Sequence, residues 1–253
     1  MSRRRFFVPE IRRGRAELTG ADAEHLVRVL RAETGKVYEI SDNRDLYMAE
    51  ITTARKSQVV FEVTEKLPAP APSVHVTLVP ALIKFDRFEW LVEKATELGV
   101  DIILPVEAMR TEHGLAQASQ KRLARWEKIA QEASQQSRRA RLPRIEPAVR
   151  LEISLQVTAT VRLFLDEDPQ APAILRQLPE QRQATDRVAL LLGPEGGWTE
   201  EERREVLAAG WLPCSLGPTI LRAETAAVAG VAIVRAAWEE SRSEQAGSLP
   251  EEP

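Results

Sequence analysis

The chain has 253 residues, of which 29% are charged and 43% hydrophobic, with a formal net charge of −3 and one cysteine. A single cysteine excludes an internal disulfide and any cysteine-rich metal site. No apolar run approaches the length of a membrane span, and Met1-Ser-Arg-Arg-Arg5 lacks the apolar stretch of a signal peptide, so no membrane partner and a cytoplasmic location are expected.

The length suits two modest domains, each with its own core. Residues 1–66 read as a small, mostly β domain. Residues 22–31 predict a short helix with Leu26, Val27 and Leu30 on its apolar side. Residues 37–41, 46–54 and 58–65 alternate apolar and polar side chains, with turns at Asp42-Asn43 and Arg55-Lys-Ser57, which predicts a partly closed barrel. Residues 67–73 carry prolines at alternate positions, the mark of an extended, semi-rigid linker.

Residues 74–240 alternate strand and helix patterns. Strands are predicted over 75–79, 102–106, 161–165, 188–192 and 213–216. Helices are predicted over 85–98, 115–134 and 224–240, which gives a doubly wound α/β domain with a mainly parallel sheet. Residues 241–253, rich in Ser, Gly, Pro and Glu, predict a disordered tail. Charge is unevenly spread. The stretch 121–144 holds Lys121, Arg122, Arg125, Lys128, Arg138, Arg139, Arg141 and Arg144 against Glu127 and Glu132. Such a stretch reads either as a phosphate-binding surface or as a solvated helix face.

Two glycine-proline loops each follow a short apolar run and lead into a helical pattern, and are expected at the carboxyl ends of neighbouring strands, where ligands bind in open α/β sheets. The first is Gly193-Pro-Glu-Gly-Gly197, after Val188 to Leu192. Thr199 with Glu202 makes a capping box, so a helix starts there. Its first turn is already acidic, with Glu200, Glu201 and Glu202, and would repel phosphate. No G-x-G or Walker A sequence occurs, which disfavours dinucleotide and NTP ligands, and with them an oxidoreductase. A neutral or cationic ligand without phosphate fits better.

The second loop lies in Leu216-Gly-Pro-Thr-Ile-Leu-Arg-Ala-Glu-Thr-Ala226. With the first loop it resembles the SPOUT superfamily of knotted methyltransferases and, within it, the RsmE family, which methylates N3 of a uridine in 16S ribosomal RNA using S-adenosylmethionine. Arg4-Arg-Phe-Phe-Val8, His25 to Arg31, Lys94 to Val100, Trp126 to Ala130 and Gln136-Ser-Arg138 resemble the same family in the same order. Thr219 departs from it, standing where many relatives carry a basic residue. The resemblance implies a trefoil-knotted methyltransferase domain, an exception to unknotted topology, preceded by a PUA-like RNA-binding β-barrel. It implies 16S rRNA, within the small ribosomal subunit, as the partner, no metal, and a homodimer. The apolar positions Ala226, Val228, Ala229, Val231, Ala232 and Val234 of the last helix agree with a dimer, or with packing inside one subunit.

By the same resemblance, Leu192, Gly193, Gly196, Gly197, Leu216, Gly217, Leu221 and Ala226 surround the cofactor, largely through backbone groups. Arg222 is the candidate for stabilising the developing uracil anion or gripping a flanking phosphate. Glu224 stands as a helix cap, a cofactor-facing carboxylate or a proton acceptor. Glu195 is open between similar roles and Thr225 between capping and ligand contact; both are grouped with the cofactor. Arg4, Arg28, Arg31, Arg138 and Arg139 are the candidate RNA contacts. The neighbouring readings are a SPOUT ribose 2′-O-methyltransferase and a non-catalytic ribosome-assembly factor.

Overall fold

The computed structural model describes residues 5–28, 31–69 and 71–247, with 243–247 described by backbone alone. The chain divides into two compact units: Met1–Pro70 with Gln131–Leu142, and Ala71–Ala130 with Pro143–Pro253. A division at 67–73 leaves 131–142 in the second domain, whereas its contacts group it with the first unit.

The first unit holds a six-stranded sheet in the order Arg5–Phe7, Val37–Ser41, Leu46–Arg55, Gln58–Leu67, Arg15–Thr19, Ile11–Arg12. The first two strands are parallel and the other pairs antiparallel. Three of these strands lie before residue 20, where the sequence offered no long alternating run; Arg15–Thr19 does alternate, with Ala16 and Leu18 turned inward. Phe6, Leu18, Leu26, Ile40, Ile51, Val59 and Phe61 fill the core. The helix spans Gly20–Arg28, and Arg31 stands at φ +50, a left-handed conformation that cannot continue it. Leu30 lies outside the described residues.

Within this unit the segment 138–142 is tied down by polar contacts. Arg5, buried, gives its Nε and Nη2 to Oε2 of Glu39 at 3.0 and 2.8 Å and its Nη1 to the carbonyl of Arg138. Arg138 in turn gives Nη2 to Oε1 of Glu39 at 2.6 Å. Ser41 donates to the carbonyl of Ala140, and Asn43 accepts from the amide of Leu142.

The second unit is built on a six-stranded, all-parallel sheet ordered Arg144–Ile145, Ile102–Ile103, His75–Pro80, Arg187–Leu192, Val161–Leu165, Leu212–Cys214. Parallel strands need crossovers, and helices on both faces explain the continuous apolar run at 188–192. Val188, Leu190 and Leu192 face one core with Phe88, Leu91, Trp126, Val231, Val234 and Trp238, from the helices Phe85–Glu97, Leu123–Gln136 and Ala223–Gly247. Ala189 and Leu191 face the other, with Leu151, Trp198, Val206 and Trp211. Each fully buried Leu or Val contributes roughly 1.5–3 kcal/mol, so the strand is held from both sides.

Several boundaries move. The strand expected at 102–106 divides at Pro105, whose missing N–H interrupts a ladder; Val106–Glu107 pairs instead with Val149–Arg150. The helix expected at 115–134 is broken into Leu115–Ser119, a short 3₁₀ turn at Gln120–Arg122, and Leu123–Gln136. The last helix, Ala223–Gly247, runs beyond 240, so 241–247 is helical rather than a disordered tail. Residues 248–253 lie outside the described residues.

Candidate functional site

Three loops leave the carboxyl ends of the strands Val161–Leu165, Arg187–Leu192 and Leu212–Cys214, and together they wall a cavity of about 860 Å³. The two glycine-proline loops do not leave adjacent strands. Val161–Leu165 lies between theirs, and its own loop, Asp166 to Ala173, forms the third wall.

The 193–197 loop begins where a buried strand ends. Gly193 admits Trp198, whose Nε1 lies 2.8 Å from where a Cβ on Gly193 would sit. Trp198 packs on Phe164 and donates to the carbonyl of Leu165 at 3.4 Å. Gly197 closes a turn onto the carbonyl of Pro194. Arg110 holds the loop from outside, its Nη1 donating to the carbonyls of Gly196 and Trp198 at 2.9 and 3.2 Å. The helix Glu200–Ala208 then starts with the expected capping box: Thr199 accepts from the amide of Glu202, and Glu202 accepts from the amide of Thr199. The other oxygen of Glu202 accepts from the amide of Met109 at 2.7 Å.

In the third wall, Asp166 accepts from Nε of Arg203 at 3.0 Å, while its own amide bonds the carbonyl of Cys214. Ser215 exchanges backbone bonds with Pro172 and Ile174, which ties the start of the last loop to this wall. Cys214 lines the cavity but is inert: burial, then the neighbouring Asp166 charge, push its thiol up to about 12.

Of the expected site residues, Leu192, Gly193, Glu195, Gly197, Leu216, Gly217, Leu221, Arg222 and Ala226 line this cavity. Gly196 turns toward Arg110, and Thr225 is exposed. Neither lines the cavity. Glu224, in the first turn of Ala223–Gly247, does not line the cavity either and makes no capping hydrogen bond among the described residues. Its Oε1 lies 3.9 Å from Nε of Arg87, and its Oε2 is buried without a hydrogen-bond partner. Arg87 and Lys84 line the cavity from the start of Phe85–Glu97, and Arg87 also pairs with Glu195. Neither cation, nor Arg110, nor the 166–173 wall, was legible as part of the site, because single charged residues on remote segments carry no local spacing signal.

Of the RNA candidates, Arg4 lies outside the described residues. Arg28 and Arg31 are exposed, Arg31 beyond the helix end rather than on it. Arg138 is committed to Glu39, and Arg139 bonds the carbonyl of Arg141. Much of the 121–144 basic stretch is paired: Arg122 and Arg125 meet Glu89, and Arg144 meets Glu146. Among the described residues no helix is long and apolar enough to cross a membrane, and no group of three or more His, Cys, Asp or Glu could hold a metal ion.

Residues 70–235 match the family model of an RNA methyltransferase domain. A Synechocystis protein named ribosomal RNA small subunit methyltransferase E is 33% identical, the match covering 88% of this chain and 73% of the relative. A Bacillus subtilis protein of the same name is 30% identical over 90% of this chain and 92% of its own. The chain belongs to the RsmE family of RNA methyltransferases. The RsmE-type structure from Neisseria gonorrhoeae, solved bound to S-adenosylmethionine, shares 28% identity with a TM-score of 0.83, over 94% of this chain and 98% of that one. A Legionella pneumophila protein solved with the same bound cofactor also shares 28% identity, with a TM-score of 0.85, over 94% of this chain and 98% of that one.

Proposed function

We propose that this chain transfers a methyl group from S-adenosylmethionine to N3 of a uridine in small-subunit ribosomal RNA, with the cofactor held in the 860 Å³ cavity. The observation that carries this reading is a cavity walled by both family loops, in the size range of small-molecule sites. Its residues fit the cofactor. The loops offer backbone groups at close approach, and the third wall carries Glu167 and Asp168 to suit a cation.

When bound, S-adenosylmethionine supplies an electrophilic methyl group on a positively charged sulfur. The chain's own work is to hold the uracil ring in line with it. Such positioning is worth roughly 7–11 kcal/mol, against a general-base contribution of about 10²–10⁴-fold, so a site built from rigid loops suits the reaction. Arg222 is exposed on the 215–222 loop and, among the described residues, meets no carboxylate. It is assigned to the negative charge that develops on the uracil, or to a flanking phosphate. Glu224, outside the cavity lining and 3.9 Å from Nε of Arg87, is assigned to holding that cation.

The reading extends to the rest of the molecule. A trefoil knot formed by the C-terminal segment is supported by membership of the family alone. A PUA-like barrel over 1–66 is supported by chain length. The outer strands Arg5–Phe7 and Ile11–Arg12 are joined by three residues that span at most about 14 Å, while a flat six-stranded sheet would put them roughly 24 Å apart. The sheet must therefore curl. Val228, Ala229, Ala232 and Ile233 on the last helix are only partly buried, which suits a homodimer. A cytoplasmic site of action, on rRNA in the small subunit, follows from the substrate.

The test is transfer of labelled methyl to small ribosomal subunits and to naked rRNA, followed by nucleoside analysis. We expect 3-methyluridine. A 2′-O-methylated product would favour the ribose-methylating relative, and no transfer with no calorimetric binding of S-adenosylmethionine would favour a non-catalytic assembly factor.

A further inference from the structure

Arg87 reaches the cavity from a helix that lies 108 residues earlier in the chain than the glutamate it meets. Its guanidinium pairs with Glu195 of the 193–197 loop, and its Nε lies 3.9 Å from Glu224 in the first turn of the last helix. The helix carrying it is fixed by Phe88, Leu91 and Val92, all buried in the larger core. The loop it grips is held on its opposite side by Arg110. One cation on a rigid support thus spans two walls that are separate in sequence. Two carboxylates share that cation, and Oε2 of Glu224 remains buried with no partner among the described residues. A buried carboxylate is costly without a nearby cation, and Arg87 is the cation that stands beside this one.

We propose that Arg87 is a positioning residue of the cofactor cavity: paired with Glu195 and set beside Glu224, it fixes the spacing of the 193–197 loop from the last helix, and with it the shape of the space that S-adenosylmethionine enters. This rests on the cofactor reading above. The excess carboxylate also suits the positive charge of that ligand. Neither Arg87 nor its bridging role is carried by a motif of either loop.

Calorimetric titration of S-adenosylmethionine into wild type, R87A, R87E, the charge swap R87E/E195R, and E224Q tests it, with thermal unfolding followed in parallel. R87A and R87E are expected to weaken binding roughly tenfold or more, the worth of a lost charge-assisted contact. The swap restores the pairing with the loop but sets a carboxylate at position 87 beside Glu224, so it is expected to recover part of that loss with a melting temperature near that of wild type; a merely structural role for Arg87 would move affinity and melting temperature together. The nearly isosteric E224Q is expected to weaken binding with its melting temperature unchanged. Wild-type affinity in R87A, or a swap no better than R87E alone, would overturn the bridging role. Wild-type affinity in E224Q would remove Glu224 from the bridge that Arg87 makes. Failure of wild type itself to bind would remove the cofactor reading and this inference together, an outcome distinct from the others.

Discussion

Trp198 stands where a side chain on residue 193 would go, so Gly193 is fixed by packing as much as by any ligand. Gly193→Ala is expected to shift Trp198 off Phe164, lowering stability by about 1–3 kcal/mol and weakening cofactor binding; urea denaturation and calorimetry read the two effects. The sequence marked this glycine through its motif but could not name the tryptophan as its cause. Cys214 shows the reverse case. Its place beside a loop was visible, while its burial was not. With the thiol pushed up to about 12, chiefly by desolvation, it stays protonated throughout the physiological range. Native protein at pH 8 should therefore resist iodoacetamide, and urea-unfolded protein should take one label, as mass spectrometry would show. Labelling of the native chain would place the thiol in contact with water.

The helix Glu200–Ala208 was legible because its start is a local matter. Thr199 and Glu202 are three residues apart, and both reciprocal bonds form. Thr199→Ala should cost about 1 kcal/mol. Glu202→Ala should cost more, about 2–3 kcal/mol, because Glu202 is 3% exposed and also accepts from Met109 across the fold. Equal losses in urea melts would mean the Met109 contact contributes nothing. Elements whose limits depend on partners were less legible. Residues 102–106 have one apolar pattern, but Ile102–Ile103 pairs with His75–Pro80 and Arg144–Ile145 while Val106, beyond Pro105, pairs with Val149–Arg150. The last helix continues past 240, where its composition alone suggested disorder.

For the molecule as a whole, the segment 131–142 illustrates what sequence order conceals. It begins inside the helix Leu123–Gln136, yet its contacts belong to the first unit, where Arg138, at a left-handed φ of +57, pairs with Glu39. Glu39→Ala leaves buried Arg5 without its carboxylate and should cost about 3–5 kcal/mol, with faster amide exchange over 37–41 and 138–142. Unchanged exchange at 138–142 would show that the segment is held without this ion pair. Arg138→Glu should therefore destabilise this unit whatever it does to RNA affinity, which urea melts run beside the binding assay would show. The sequence by itself determined the α/β alternation, the capped helix, and the two glycine-proline loops that carry the family resemblance, because each is written in neighbouring residues through strand and helix periods, turn chemistry and capping distance. Only the tertiary structure decided that a third strand stands between those loops, that the wall after Leu165 closes the cavity, and that Arg87 and Arg110 hold the first loop from two sides, because strand order and long-range charge pairing arise from burial across the whole sheet and leave no periodic trace in the chain.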